Sequence, residues 1–153
     1  MTASVTTIRG DFIDFMGRAL EAQGLSPIAG RMLGLLIFDG EARSFSELAT
    51  ELGVSRGSIS ANAKMLVAKG SIVKENREGD RQDYFRIADE SFDVMLEALR
   101  QRMLETATSV EGFAEALPAE QSARRRLCGM AEFYRAMAEG VSQAAARLTQ
   151  LRC

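Results

Sequence analysis

The chain has 153 residues, with 19 Lys or Arg against 21 Asp or Glu, a formal net charge of −2 and no histidine. That length holds one domain, or a small lobe with helical extensions, and is enough to bury a core. The missing histidine removes the usual general base, the usual zinc ligand and the His-assisted Ser or Cys nucleophile, and the slightly negative charge is not the basic signature of a typical nucleic-acid binder.

No apolar run is long enough to span a bilayer, and the first seven residues lack the basic and apolar regions of a signal peptide, so the expected location is cytoplasmic. Cys128 and Cys153 are too far apart in sequence for a disulfide framework or a metal-ligand spacing. Cys128 is expected as a small buried apolar residue within a helix rather than a thiol sensor. With no phosphate loop and no dinucleotide fingerprint either, no cofactor, no metal and no enzymatic activity are expected.

A first helix is expected over residues 5–23. Val5, Ile8, Phe12, Phe15 and Ala19 step by three and four into one apolar stripe, widened by Ile13, Met16 and Leu20, and such a stripe needs a partner. Gly24 closes it. Ser26 then caps a helix over 27–39, with Pro27 at the first helical position, where its missing N–H costs nothing. Ile28, Met32, Leu33, Leu35, Leu36, Ile37 and Phe38 make that helix apolar nearly all round, so it must be buried on more than one side. Gly30 and Gly34, four apart, permit a close helix crossing; a phosphate-binding role would need a Gly-rich loop after a strand, which is absent.

Residues 44–87 read helix, turn, helix and charged hairpin. Ser44-Phe45-Ser46-Glu47 is a capping box, and Phe45, Leu48, Ala49 and Leu52 share one face of the helix that Gly53 ends. Ser55 caps a second helix running to about Lys69, stopped by Gly70. With Ile59 pointing inward, Ala63 and Leu66 share its face and Val67 flanks it. Gly57, Ser60, Ala61 and Lys64 fall opposite, with Arg56 and Ser58 exposed at the N-terminal end. Short polar side chains and cations suit a helix lying on the floor of a DNA major groove, although a serine-rich outer face is also compatible with an ordinary amphipathic helix.

Strands are expected over 72–76 and 83–87, with Gly79-Asp80 as the turn. Phe85 and Ile87 share one face, Tyr84 and Arg86 the other, and Arg77 and Arg81 sit at or near the tip. A two-stranded ribbon is barely stable alone, so it must pack on the helices, which frees its arginines for a minor groove or for phosphates. A solvated hairpin whose arginines pair with Glu75, Glu78, Asp80 and Asp83 is the competing reading. From Val54 to Ile87 there are seven Lys or Arg and four acids, so this lobe is net positive in an acidic chain.

A long helix starts at Asp89 or Ser91. Phe92, Leu96, Leu99, Met103, Thr106, Val110, Phe113 and Leu117 alternate steps of four and three, and Pro118 interrupts them. A last helix over about 118–151 carries Leu127, Met130, Tyr134, Met137, Val141, Ala144, Leu148 and Leu151. Two seams of this length point to intertwining with a second copy, N-terminal helix included, while an antiparallel hairpin within the chain would satisfy part of each. Arg124-Arg125-Arg126 reads as a solvated face pairing with acids such as Glu120 rather than as an anion site.

The runs Phe45-Ser46-Glu47-Leu48-Ala49, Leu52-Gly53-Val54-Ser55-Arg56-Gly57-Ser58-Ile59-Ser60, Leu66-Val67-Ala68-Lys69-Gly70 and Arg77-Glu78-Gly79-Asp80-Arg81 resemble the MarR superfamily of bacterial transcriptional regulators. Gly57-Ser58-Ile59-Ser60 and Glu78-Gly79-Asp80-Arg81-Gln82-Asp83-Tyr84 are closer to its GbsR-like branch. The resemblance is strongest over residues 24–91. It implies a homodimer, a recognition helix in the major groove and a wing arginine at the minor groove, the family's Asp-Arg wing pair matching Asp80 and Arg81. It also implies a link to choline-like osmoprotectants. A quaternary ammonium needs an aromatic cage, and a chain without Trp would have to build one from Phe12, Phe15 and Phe92, each more simply a core residue. Choline is therefore not expected, and no ligand-binding residue is assigned.

The expected fold is mainly α with a small β-hairpin wing: a winged helix-turn-helix over 25–88, an N-terminal dimerisation helix over 1–24 and long C-terminal dimerisation helices over 89–153. The expected function is a dimeric DNA-binding transcriptional regulator, a repressor, reading a pseudo-palindromic operator in double-stranded DNA through residues 55–69 and the wing 72–87, with room for a small-molecule effector. Its DNA-binding residues are Ser55, Arg56, Gly57, Ser58, Ser60, Ala61, Lys64, Arg77 and Arg81. A helical interaction scaffold or antirepressor that keeps the winged fold without reading DNA is the other reading.

Overall fold

The computed structural model describes residues 2–151, in two compact units that divide at residues 91 and 92. The first unit holds α1 (Val5–Ala22), α2 (Pro27–Asp39), β1 (Arg43–Ser44), α3 (Phe45–Leu52), α4 (Arg56–Ala68), β2 (Ile72–Asn76) and β3 (Asp83–Ile87). All four helices start on a serine. The Oγ atoms of Ser4, Ser26, Ser44 and Ser55 accept from the backbone N–H of Thr7, Ile28, Glu47 and Ser58 at 3.1, 3.2, 3.1 and 3.1 Å, satisfying donors that the helix itself leaves open. At Ser44 the box is reciprocal, since Glu47 accepts from the Ser44 N–H. The αL conformation at Gly53, φ 65°, ends α3 and sets the tight turn into α4.

The core gathers Met32, Leu35 and Leu36 of α2, Leu48 and Leu52 of α3, Ile59, Ala63 and Leu66 of α4, and Ile72 and Phe85 of the hairpin. Each inward position anticipated on α4 is buried, while Val67 stays partly exposed. α2 is buried on two sides, and its glycines face α1. A Cβ on Gly30 would stand 2.3 Å from the Met16 carbonyl oxygen, and one on Gly34 would stand 3.1 Å from the Ile13 Cα.

This close crossing decides which face of α1 is covered, and it is not the expected one. Ile13, Gly17 and Leu20 are buried against α2. Val5, Ile8 and Phe15 of the anticipated stripe lie outside, Val5 71% and Phe15 54% exposed. Phe12 is half-buried beside Phe38, their rings 6.0 Å apart. Where two backbones approach this closely, small and medium side chains fit between them and the large aromatics must turn away.

The hairpin strands have the anticipated bounds, and a third strand joins them. β1 pairs with β3, giving the antiparallel order β1-β3-β2 with Ser44 opposite Tyr84 and Glu75 opposite Tyr84 on the other side. Phe85 points into the core, and Tyr84 and Arg86 lie half-exposed on the other face of the sheet.

An ion-pair cluster ties α1 to the helix-turn-helix. Arg9 grips Asp39 with two bonds of 2.7 Å and donates to Glu51 of α3 at 2.6 Å, while Arg43 donates to Asp39 at 2.8 Å. The Asp39 side chain is only 9% exposed. The Arg9 guanidinium, against the cost of desolvation, holds its carboxyl below the ordinary aspartate range. A depressed folded-state pKa gives stability that is complete above the unfolded value of about 4 and fades as pH falls through the folded value. Asp39→Asn is therefore expected to cost about 2 kcal/mol at pH 7, with the gap to wild type narrowing below pH 4 in thermal melts. A gap that is flat with pH would remove the carboxylate from the account.

In the second unit, α5 (Ser91–Ala116) and α6 (Ser122–Leu151) pack side by side. Glu111 and Arg135 join them through two bonds of 2.7 Å, and both residues are shifted toward their charged forms by that contact. The fully buried positions are alanines: Ala107 and Ala114 on α5, Ala131 and Ala138 on α6, seven apart in each helix. Of the anticipated seams, Leu96, Met103, Val110, Leu117, Leu127, Tyr134, Val141 and Leu148 are partly covered. Phe92, Phe113, Met130, Met137 and Leu151 of those seams are left exposed, as is Phe133. The intrachain hairpin thus takes the small residues and leaves the large ones outside.

α6 starts four residues later than expected. Residues 118–121 form a turn, the Gln121 N–H reaching the Pro118 carbonyl at 3.1 Å, because the chain needs a loop to reverse direction after α5. Arg124 donates to the Leu117 carbonyl at 3.2 Å and Arg126 to the Ser122 hydroxyl at 3.3 Å. Arg124 alone reaches back to the end of α5, Arg125 and Arg126 stay exposed, and among the described residues no ion pair joins the run to Glu120. Cys128 is exposed, not buried as expected, and Cys153 lies outside the described residues. No helix among the described residues is long and apolar enough to cross a membrane, and no cluster of His, Cys, Asp and Glu among them could hold a metal ion.

Candidate nucleic-acid interface

The outward face of α4 and the wing border an open cleft of about 580 Å³ lined by Phe45, Arg56, Gly57, Ser60, Arg81, Gln82 and Asp83. A second hollow of about 350 Å³ shares Phe45, Ser60 and Asp83 with it and adds Lys64 and Lys74. Cations from helix and wing therefore converge on one channel. Arg56, Gly57, Ser60, Ala61 and Lys64 are all exposed along α4, and Arg77 and Arg81 are exposed on the wing.

Ser55 and Ser58 are placed differently. Ser55 caps α4, and its hydroxyl is 2.9 Å from that of Ser58, which is half-buried. The two serines hold each other at the head of the helix. Asn62 donates back to the Ser58 carbonyl at 2.8 Å, which keeps its amide along the helix.

Of the pairing between wing arginines and wing acids that the competing reading supposed, one case is present among the described residues, and it does not involve the arginines near the tip. Arg86, not Arg77 or Arg81, takes Glu75. Asp80 accepts from the Gln82 N–H at 2.9 Å and from the Tyr84 hydroxyl at 2.7 Å, contacts that hold its carboxyl below the usual range and push the phenol up. Gln82 in turn accepts from the Ser46 N–H of α3 at 3.3 Å. Gly79, at φ 78°, supplies the turn that lets Asp80 fold back. Arg77 lies over the Tyr84 ring, 4.0 Å from its centroid, and Arg56 lies over Phe45 at 5.3 Å. Among the described residues, no ion pair engages Arg56, Lys64, Arg77 or Arg81, so their charge stays available to a polyanion.

Sequence reasoning passed over Lys74, Gln82 and the two aromatic rests. Lys74 had a signal, being a cation on the strand face it shares with Phe85. The role of Gln82 had none, because its partner is 36 residues away.

A sequence model of the MarR family matches residues 23–83, from the end of α1 into β3. The chain is 37% identical over 144 residues to the HTH-type transcriptional regulator MmpR5 of Mycobacterium tuberculosis, an alignment covering 92% of this chain and 86% of that protein. The chain belongs to the MarR family. A crystal structure of a transcriptional regulator superposes with a TM-score of 0.79 at 35% identity, covering 93% of this chain and 98% of the other. The mostly helical architecture with its small antiparallel sheet is that of a MarR-type winged helix. This MarR-family chain is a DNA-binding transcriptional regulator, the first of the two readings that the sequence left open.

Proposed function

We propose that the chain acts in the cytoplasm as a homodimeric repressor, each copy laying α4 in a major groove of a pseudo-palindromic operator and its wing against the adjoining backbone and minor groove. The contacts are made by Ser55, Arg56, Gly57, Ser58, Ser60, Ala61, Lys64, Arg77 and Arg81, with Ser55 and Ser58 acting chiefly as the cap that sets the helix against the groove. The observation that carries this reading is the convergence of Arg56 of α4 and Arg81 of the wing, neither in an ion pair among the described residues, on one open cleft. Phosphate neutralisation by such cations gives affinity that falls steeply with salt, and the overall negative charge of the chain suppresses loose binding.

The reading assigns no catalytic step. The segments Gly57-Ser58-Ile59-Ser60 and Glu78-Gly79-Asp80-Arg81-Gln82-Asp83-Tyr84 support placing the chain in the GbsR-like branch, and DNA release by a small effector fits a regulator of this type. Phe15 and Phe92 are exposed rather than in the core. That exposure argues for a partner surface and supplies no enclosed aromatic cage.

Gel shifts on the upstream region of the protein's own gene test the DNA contacts. Arg81→Ala is expected to weaken binding to all sequences and to lower the slope of log affinity against log salt by about 1. Arg56→Ala is expected to cost about 1–3 kcal/mol at its cognate base position alone, and Ser58→Ala less than that. Unchanged retention of DNA by all three variants would overturn the assignment.

A further inference from the structure

We propose that Tyr84 is a positioning residue for DNA binding, its ring carrying Arg77 and its hydroxyl latching the wing tip, so that the wing meets DNA already ordered and with Arg77 and Arg81 outside the ion pairs of the described residues. This rests on the reading of Arg77 and Arg81 as backbone contacts and deepens it. The hairpin brings Arg77, Arg81 and Arg86 together with Glu75, Glu78, Asp80 and Asp83 within one short ribbon, where mutual pairing would ordinarily consume the cations. The acids on either side of Tyr84 are occupied elsewhere. Glu75, directly across from it in β2, is held by Arg86, and Asp80 receives the Gln82 N–H and the Tyr84 hydroxyl. Arg77 then rests 4.0 Å above the ring, a contact that orients a guanidinium without cancelling its charge. A carboxylate partner would have to be given up on binding a phosphate. An aromatic face need not be.

Tyr84 is itself fixed from both sides, because β3 is the central strand and Tyr84 pairs with Ser44 of β1 and Glu75 of β2. The same arrangement recurs on the helix, where Arg56 lies over Phe45 at 5.3 Å. Two of the cations assigned to DNA are thus held by rings.

The experiment compares Tyr84→Phe, which keeps the ring and loses the latch, with Tyr84→Leu, which loses both, each in the wild-type and the Arg77→Ala backgrounds. DNA affinity is measured by fluorescence anisotropy at several salt concentrations, with circular dichroism fixing a temperature at which all variants are folded. With Arg77 present, Y84L is expected to bind about three- to five-fold more weakly than Y84F. In the Arg77→Ala background that gap is expected to close, as coupled residues require. The Arg77 Nε–H resonance of the free protein is expected to show a ring-current shift in wild type and Y84F that disappears in Y84L. An equal gap in both backgrounds, or no gap, would overturn the proposal while leaving the DNA contacts intact. If Arg77→Ala and Arg81→Ala each leave affinity and salt slope unchanged, the reading of the wing beneath it fails as well.

Discussion

Gly30→Ala is expected to lower the thermal midpoint by about 10–20 °C, the loss of on the order of 3 kcal/mol that overpacking of a lobe this size produces. The added Cβ would meet backbone on every near side, with the Met16 carbonyl oxygen at 2.3 Å, the Gly17 Cα at 2.8 Å and the Met16 carbonyl carbon at 2.9 Å. No rotamer can relieve contacts with main chain, so α1 must lift off α2. Lifting it also strains the grip of Arg9 on Asp39 and Glu51. The control is Gly10→Ala on α1, where nothing lies within 4 Å of the new Cβ. There, helix propensity predicts a gain of about 0.5–1 kcal/mol. Calorimetry on both variants separates crowding from propensity, and a Gly30→Ala midpoint equal to wild type would show that the two helices part without cost.

The second large effect concerns assembly. Phe113, 70% exposed, and Phe133, 58% exposed, lie on the helical hairpin whose buried positions are alanines. Large side chains repeated along a helix and left in water are the mark of a surface made for another chain. On the homodimer reading, Phe113→Asp is expected to halve the mass found by sedimentation. Operator affinity should then fall by about 10²–10³-fold, because the second half-site loses its tethered partner. Far-ultraviolet circular dichroism should be unchanged, since the alanine packing and the Glu111–Arg135 pair remain. Phe15→Asp probes the exposed stripe of α1 in the same way. A wild-type monomer that still binds full operator tightly, or dimers of both variants with unaltered affinity, would refute this use of the apolar faces.

Local chemistry made much of this fold readable in advance. Serine caps and glycine stops act over four residues, so the joints at Ser26, Ser44, Gly53 and Ser55 were visible in sequence, as was the inward face of α4. What failed to show was the choice between adjacent faces. On α1 the periodicity announced a stripe, but only the closeness of Gly30 to the Met16 backbone and of Gly34 to the Ile13 Cα determines that Ile13, Gly17 and Leu20 turn inward while Phe15 turns out. On α5 the seam was drawn through Thr106 and Phe113, one residue before Ala107 and Ala114. A close helix pair rewards small side chains, which carry little weight in a hydrophobic pattern. β1 escaped notice because two residues, one of them charged, become a strand only when β3 lies beside them. At the interface the cations were legible as a charge excess; their resting places on Phe45 and Tyr84 depend on the tertiary fold and were not.

Ser44 belongs to two machines at once. Its main chain pairs with Tyr84 in the wing, its side chain starts the helix beneath the reading helix, and it is almost wholly enclosed. Wing and helix pair are therefore geared together as one rigid caliper rather than two independent fingers. If helix and wing both grip the duplex as proposed, such a caliper favours one groove-to-groove distance. Stretching or squeezing the duplex between those two grips must be answered by bending the DNA, and the cost of that bend enters the choice of sequence at base pairs which no side chain touches.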